Sequence, residues 1–204
     1  MKRIASTILW TCLGLAVPGV AQPAVAQESG TLVFDLKNYT ADTKIPERNQ
    51  KVLEHGGVQW GIVGDTVVIT LVGRNFVKAD IPYLARFGEQ KTLQMKPGQY
   101  KITCIGLTFG STSRDVDKSL SKSAFFNNDV LTFAVLPGKT TTLEVLPVYE
   151  AESHWRGLTK IKMYIPDLKV RVLEDGTQKG EEVEINKRTV KSIAWDDYHG
   201  PLKF

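Results

Sequence analysis

The sequence predicts an all-β protein, a mainly antiparallel β-sandwich with at most one or two short helices. Residues 92–105 (TLQMKPGQYKITCI) and 132–145 (TFAVLPGKTTTLEV) each contain two alternating runs with Pro-Gly between them. Alternation of apolar and polar residues is typical of half-buried strands, and Pro-Gly marks a turn. The last third of the chain adds further alternating runs, with Asp175-Gly176 as another turn signal.

Residues 1–26 have the features of a signal peptide. Two basic residues precede an apolar run that extends to about residue 21, and Ala24-Val25-Ala26 has the small-x-small pattern after which signal peptidase cuts. We therefore expect a mature chain that begins at Gln27, lacks a transmembrane segment and is periplasmic or secreted. An uncleaved membrane anchor is the alternative, but Pro18 interrupts the apolar run and favours cleavage.

The composition of the expected mature chain, residues 27–204, excludes nucleic acid as a partner. Cleavage removes two of the 26 basic residues and none of the 22 acidic ones, which leaves a net charge of about +2. Cys104 is the one cysteine after residue 26, so no intramolecular disulfide is expected even in an oxidising compartment. About 178 residues fit a single domain that is held together by its hydrophobic core alone.

The first predicted strand is followed by a long loop. Residues 31–36 (TLVFDL) combine β-branched, aromatic and leucine residues and predict a strand. Residues 38–59 are polar and lack periodicity, and the glycines from His55-Gly56-Gly57 to Gly61 and Gly64 are typical of a loop.

A second strand is predicted at residues 65–72 (DTVVITLV). Its continuous β-branched run is typical of a strand that is buried on both faces. Residues 81–88 (IPYLARFG) fit either a helical turn, with Pro82 in its first turn, or an extended edge segment. The sequence leaves these two alternatives open.

The turn at Pro97-Gly98 is followed by Tyr100, at the start of the next predicted strand. Apolar residues share a face on each side of the turn: Leu93 and Met95 before it, and Tyr100, Ile102 and Cys104 after it. This pattern resembles the tyrosine corner of β-sandwiches, in which the phenol hydroxyl bonds to nearby backbone and braces a crossing between sheets. Tyr100 is therefore predicted to brace the core rather than to act as a catalytic acid.

The turn at Pro137-Gly138 has a different register. Phe133 and Val135 alternate before it, but the apolar face continues at Thr141, Leu143 and Val145, one residue later than after Gly98. Because successive side chains of a strand point to opposite faces, the two turns cannot have the same geometry.

The remaining segments predict a polar loop, several strands and a tail. Residues 110–129 fit a surface loop or a short helix. Strands are expected at residues 160–165 and 168–173, followed by an Asp-Gly turn over 174–182 that closes a hairpin onto Val183 and Ile185. One more short strand is expected at 189–195, before a tail at 196–204.

Two aromatic clusters are the candidate binding sites. Residues 153–157 (SHWRG) are expected to lie in a loop, and residues 195–199 (WDDYH) begin the tail. A flat indole beside hydrogen-bonding side chains suits a sugar face or a peptide. The predicted binding residues are Trp155, Arg156, Trp195, Asp197 and Tyr198. The alternative is that each tryptophan covers an open end of the sandwich.

No catalytic, metal or cofactor site is predicted. The mature-chain histidines, His55, His154 and His199, lack the spacing of metal ligands. His55-Gly56-Gly57 is similar to the oxyanion loop of lipases, but the chain has no Gly-x-Ser-x-Gly nucleophile motif. Aspartate and glutamate are plentiful, and nothing singles out a catalytic pair.

The Pro-Gly strands resemble those of exported bacterial β-sandwich modules, the transthyretin-like and PEGA-like domains of unknown function. In these modules a strand ends in Pro-Gly and a Tyr or Thr opens the next strand, as in residues 95–100 (MKPGQY) and 136–140 (LPGKT). The resemblance covers about residues 65–147 and leaves a C-terminal extension from Trp155 onward. It implies an Ig-like or transthyretin-like sandwich that serves as a non-catalytic binding or assembly module of the cell envelope, with an envelope protein or glycan as partner.

Two other functions stay open. One is an envelope hydrolase that acts on glycan or peptide, which needs a concave site with two or more titratable groups. The other is an oligomer component that associates through an unpaired strand edge.

Overall fold

The computed structural model describes residues 28–47, 50, 56–71, 82–107, 124–156 and 158–200. Within the strands, residues 71, 107, 151–152, 154–156 and 160–166 are described by their backbone alone. The predicted leader, His55, most of the predicted loop at 110–129 and the last four residues of the tail lie outside the described residues.

Twelve β-strands run through the described residues. They are β1 (Gly30–Leu36), β2 (Thr40–Ala41), β3 (Gly57–Val63), β4 (Thr66–Leu71), β5 (Tyr83–Arg86), β6 (Gln90–Met95), β7 (Gly98–Leu107), β8 (Ala124–Val135), β9 (Thr140–Arg156), β10 (Thr159–Glu174), β11 (Thr177–Glu184) and β12 (Ile193–Ala194). A 3-10 turn, Trp195–Asp197, follows β12. In these parts of the chain, no helix has the length and hydrophobicity needed to span a membrane.

The strands form two sheets. Sheet A has the order β11-β10-β9-β1-β6, with β2 also paired to β9, and sheet B has the order β12-β8-β7-β4-β3-β5. Among the described residues, three strand pairs are parallel (β1 with β9, β2 with β9, and β4 with β7) and the other seven are antiparallel. The prediction of a mainly antiparallel all-β fold is confirmed, although each sheet is mixed.

One apolar cluster lies between the sheets. Alternate residues of both sheets form it, including Leu32, Leu143 and Val170 of sheet A and Val67, Ile102 and Phe133 of sheet B. At its centre Phe34 of β1 stacks on Trp60 of β3, with ring centroids 4.0 Å apart and an interplanar angle of 6°. Both rings are fully buried, so this contact links sheet A directly to sheet B.

The prediction of a doubly buried strand is confirmed at β4. Val67 and Ile69 belong to the core between the sheets, whereas Val68 belongs to a second cluster with Ile105 and Phe126. Because side chains alternate along a strand, this second cluster lies on the outer face of sheet B. Both faces of β4 are therefore covered, as is common for strands in parallel pairs.

The predicted loop at residues 38–59 is wrong at its C-terminal end, where β3 occupies Gly57–Val63. The glycine that signals a loop in the sequence has a packing role here, because a Cβ on Gly57 would collide with the carbonyl oxygen of Ala85 in β5. β5 itself decides between the two alternatives for residues 81–88: residues 83–86 are extended and form an edge strand of sheet B.

The first Pro-Gly turn carries the chain from sheet A to sheet B. β6 ends at Met95 in sheet A, and β7 begins at Gly98 in sheet B. The Tyr100 hydroxyl donates a hydrogen bond to the carbonyl oxygen of Lys96 at 2.8 Å, and its ring stacks on Phe133 of β8. The predicted tyrosine brace at a crossing between sheets is confirmed.

The second Pro-Gly turn carries the chain back from sheet B to sheet A. Residues 136–139 separate β8 from β9, whereas only residues 96–97 separate β6 from β7. Gly138 has a φ of 66°, a left-handed conformation that glycine adopts without strain. Thr141 then donates its hydroxyl to the carbonyl oxygen of Ala134 at 2.9 Å. The prediction that the two turns differ is confirmed.

The strands predicted at residues 160–165 and 168–173 are one strand, β10, which pairs with β9 from Glu174 opposite Thr141 to Thr159 opposite Arg156. Residues 153–156, expected in a loop, belong to β9. The Asp-Gly turn is confirmed, with φ values of 46° and 81° at residues 175 and 176, but it is shorter than predicted because β11 begins at Thr177. The strand expected at 189–195 is limited to β12.

If the phenol hydroxyl braces the first crossing, Tyr100→Phe should lower the free energy of unfolding by about 1 to 3 kcal/mol, because the Lys96 carbonyl loses its donor in a partly buried position. Chemical denaturation of both proteins measures this change.

Tyr83→Phe is the matched control, since the Tyr83 hydroxyl makes no hydrogen bond within the described residues. An unchanged denaturation midpoint for Tyr100→Phe would contradict the role of the brace.

Candidate functional site

Asn127 of β8 anchors the segment that leads from β11 to the tail. Its side-chain amide donates hydrogen bonds to the carbonyl oxygens of Ile185 and Lys187, at 2.8 and 2.9 Å. Its side-chain oxygen accepts a hydrogen bond from the Ser192 hydroxyl at 2.6 Å, and that hydroxyl accepts one from the backbone N–H of Thr189. Asn127 is buried, so its three hydrogen bonds hold the connection against sheet B.

The tail continues across the outer face of sheet B. β12 pairs with β8, and the rings of Trp195 and Tyr198 stack on the buried ring of Phe126, with centroids 5.2 and 3.8 Å away. Ile193 packs against the same cluster. The tail thus covers apolar surface of its own sheet.

Three of the five predicted binding residues lie in this tail. Trp195 and Tyr198 are half-buried by their contact with Phe126, whereas Asp197 is exposed in the 3-10 turn. The expectation that Trp195 covers an open end of the sandwich is wrong, because the ring lies on the outer face of sheet B. Burial by packing reduces the aromatic surface that Trp195 and Tyr198 offer to a ligand.

The distal half of the β9–β10 hairpin forms an arm, which we define as residues 150–156 of β9 and 159–166 of β10. Along β9, β1 pairs with residues 140–145 and β2 with residues 148–149. β11 pairs with β10 over residues 169–174, so this pairing ends at Lys169 and does not reach the arm. Within the described part of the chain, the arm strands therefore pair only with each other. Leu158, in the turn at the tip, is 99% exposed.

The other two predicted binding residues, Trp155 and Arg156, end β9 near the tip of this arm. The arm belongs to sheet A, whereas Trp195 and Tyr198 lie on sheet B. The structure thus assigns the five predicted residues to two separate regions.

Hydrogen bonds where the arm joins the rest of sheet A show which of its backbone groups point away from the β9–β10 hairpin. The carbonyl oxygen of Tyr149 accepts a hydrogen bond from Asp42, on the β2 side of β9. The carbonyl oxygen of Leu168 accepts one from Ile185, on the β11 side of β10. Since backbone groups of a strand alternate in direction, odd-numbered residues of β9 and even-numbered residues of β10 direct their N–H and C=O to the free edges of the arm.

Pro166 fits this geometry. It lies opposite Tyr149 in the hairpin, and its even number directs its backbone nitrogen to the free edge of β10. The N–H that proline lacks is therefore not one that β9 would bond, which is why the strand continues through this residue.

The thiol of Cys104 is free and buried. Burial, with a smaller effect of the Asp167 carboxylate, raises the pKa of the Cys104 thiol well above its ordinary value, so the thiol stays protonated and inert. No group of three or more histidine, cysteine, aspartate or glutamate side chains that could hold a metal occurs among the described residues.

Charged residues on the outer face of sheet A neutralise one another. Lys37 lies 2.6 Å from Asp35 and 3.1 Å from Glu144, and Glu144 also contacts Arg171 at 2.8 Å. The hydrogen bond to Asp35 is the largest of the causes that raise the pKa of Lys37. Charges paired in this way create little field for a charged ligand.

Comparison of the chain with family models, curated proteins and solved structures yields no match. The resemblance to transthyretin-like and PEGA-like modules therefore stays a prediction.

The arm and the Asn127 anchor are not predicted from the sequence. The prediction of a surface loop or a short helix at residues 110–129 is wrong for 124–129, where Phe125-Phe126 precedes Asn127 in β8. The pair of phenylalanines was the available signal. For the arm, the alternation of residues 161, 163 and 165 signalled a strand, but its pairing with residues 150–156 depends on the tertiary fold.

We expect Asn127→Ala to lower the free energy of unfolding by about 2 to 4 kcal/mol, because the carbonyl oxygens of Ile185 and Lys187 lose their donor. Hydrogen exchange should also accelerate in residues 185–195. Asn128→Ala, at the exposed neighbouring position, is the control. Equal stability of the two variants would contradict an anchoring role.

Trp195→Ala distinguishes packing from ligand binding in the tail. If the ring covers Phe126, the variant should lose about 1 to 2 kcal/mol of stability and expose the outer cluster of sheet B. Chemical denaturation and binding of a hydrophobic dye measure these two effects. A fully stable variant would contradict the packing role.

Proposed function

We propose that this protein is an exported, non-catalytic binding or assembly module of the bacterial cell envelope that acts through its arm. The predicted signal peptide supports export, and the resemblance of residues 65–147 to envelope modules supports this location. The ligand class is an envelope protein or glycan.

The observation that carries this proposal is the arm itself. Two-stranded ribbons are only marginally stable in water, because they bury little apolar surface. This ribbon extends for seven residues of β9 beyond the last described partner on its β2 side. An extension of this kind is better explained by a partner that covers its edge than by a contribution to the core between the sheets.

The surroundings of the arm favour binding over catalysis. Within the described residues its edges present backbone groups without a strand partner, which support recognition by strand addition, and Leu158 presents an exposed apolar side chain at the tip. Trp155 and Arg156, near this tip, are residue types that are enriched at binding hot spots.

An arm-deleted variant tests the proposal. Replacement of residues 150–165 by Asn-Gly would join Tyr149 to Pro166, which already lie opposite each other. We expect the variant to fold, with a melting transition close to that of the parent, and to lose retention on isolated envelope fractions of membranes and peptidoglycan. Trp155→Ala should fold and show a partial loss of retention.

Val190→Ala, at a fully exposed position between β11 and β12, serves as the control and should be retained like the parent protein. Equal retention of the parent and the arm-deleted variant would contradict the proposal. Release of soluble fragments from purified peptidoglycan or from envelope peptides by the parent protein would instead identify a hydrolase.

A further inference from the structure

We propose that two copies of this chain pair through the free edge of β9, in an antiparallel β9–β9 ribbon with Ser153 on its two-fold axis. This inference rests on the proposed function and deepens it, because it names a second copy of the chain as the partner of the arm. Three features of the arm point to this arrangement.

The first feature is a difference between the two edges of the arm. The β10 edge carries Lys160, Lys162 and Pro166, the residue types with which proteins protect strand edges from pairing. The β9 edge, over residues 150–156, contains neither lysine nor proline. Of the two edges, only that of β9 lacks both lysine and proline.

The second feature is the direction of the backbone groups. Ala151, Ser153 and Trp155 are odd-numbered, so their N–H and C=O groups face the free edge of β9. A two-fold axis at Ser153 places Ser153 opposite itself and Ala151 opposite Trp155. Each of these pairs brings outward-facing groups together, as the hydrogen-bonded pairs of an antiparallel ladder require.

The third feature is the order of charges along β9. The same axis places Glu150 opposite Arg156 and Glu152 opposite His154, at the non-hydrogen-bonded positions where opposed residues approach most closely. An axis moved by one residue would place either Glu152 or His154 opposite itself. The alternation of hydrogen-bonding groups and the charges therefore agree on one register.

The length of the free edge matches this register. β2 covers β9 as far as Tyr149, and the proposed pairing begins at the next residue, Glu150, which is exposed. The seven residues from 150 to 156 thus form a segment that is complementary to itself and is not covered by β2. Because each copy uses its β9 edge once, the assembly closes as a dimer.

Proline substitutions at two directly opposed residues test the proposal. Ser153 and Lys162 face each other in the hairpin, and their N–H groups point to opposite free edges. Ser153→Pro removes a donor that the second copy needs, whereas Lys162→Pro removes the corresponding donor from the β10 edge. Neither substitution removes a hydrogen bond between β9 and β10.

Sedimentation velocity over a range of concentrations, on the chain from Gln27 to Phe204, measures the outcome. We expect the parent and Lys162→Pro to form dimers and Ser153→Pro to be a monomer. A parent that stays monomeric at millimolar concentration would overturn the inference, as would equal dissociation of the two variants or oligomers that grow without limit.

Charge reversal provides a second test that does not depend on tolerance of proline. Glu150→Arg and Arg156→Glu should each weaken the dimer by about tenfold or more, because each places like charges opposite one another twice. The double variant should restore the affinity of the parent. Failure of this restoration, with both single variants folded, would overturn the proposed register.

The envelope-retention assay separates the two proposals. If the monomeric Ser153→Pro variant is still retained on envelope fractions, the proposed binding function holds without the dimer. A parent protein that is retained but does not dimerise would therefore contradict this inference and leave the proposed function intact. If retention is lost on deletion of the arm but not in Ser153→Pro, a part of the arm other than the β9 edge binds the envelope. This result would overturn a requirement for the β9 dimer in envelope binding.

Discussion

The stacking of Phe34 on Trp60 is the contact on which the two-sheet arrangement depends. Cys104 is free, so no disulfide joins the sheets within the described residues, and their association there rests on apolar burial. These two fully buried rings belong to β1 and β3 and lie 4.0 Å apart. The alternating apolar faces of β7 and β9 point toward the core that surrounds this contact.

The two Pro-Gly turns allow one chain to build both sheets around that core. Each turn moves the chain from one sheet to the other, and each is closed by a different hydroxyl, that of Tyr100 in the first and that of Thr141 in the second. Because consecutive strands enter different sheets, parallel pairs such as β1 with β9 arise between strands that are distant in sequence. The mixed character of the sheets is thus a consequence of these crossings.

The tail and the arm extend this body in different ways. Trp195 and Tyr198 pack on Phe126, and Asn127 fixes the segment before them, so the tail completes the protein's own outer surface. The arm continues past β2 and leaves backbone groups of β9 without a partner in the described residues. Aromatic residues near both regions look alike in the sequence, yet the geometry gives those of the tail a packing role and places Trp155 near the tip of the arm.

The sequence by itself determined the elements whose signals are local. The period-two pattern of residues 93–104 placed the side chains of two successive strands, Gly-x-Tyr identified the Tyr100 brace, and Asp-Gly located a hairpin turn, because each depends on neighbouring residues alone. Only the tertiary structure decided that Gly57 lies in a strand, since its small size matters through contact with Ala85 of β5. The arm was decided in the same way: residues 150–156 become a strand because β10 pairs with them, and their free edge exists because β2 ends before them. Such features depend on which distant segments meet, and the hydrophobic pattern of a single segment carries no record of its partners.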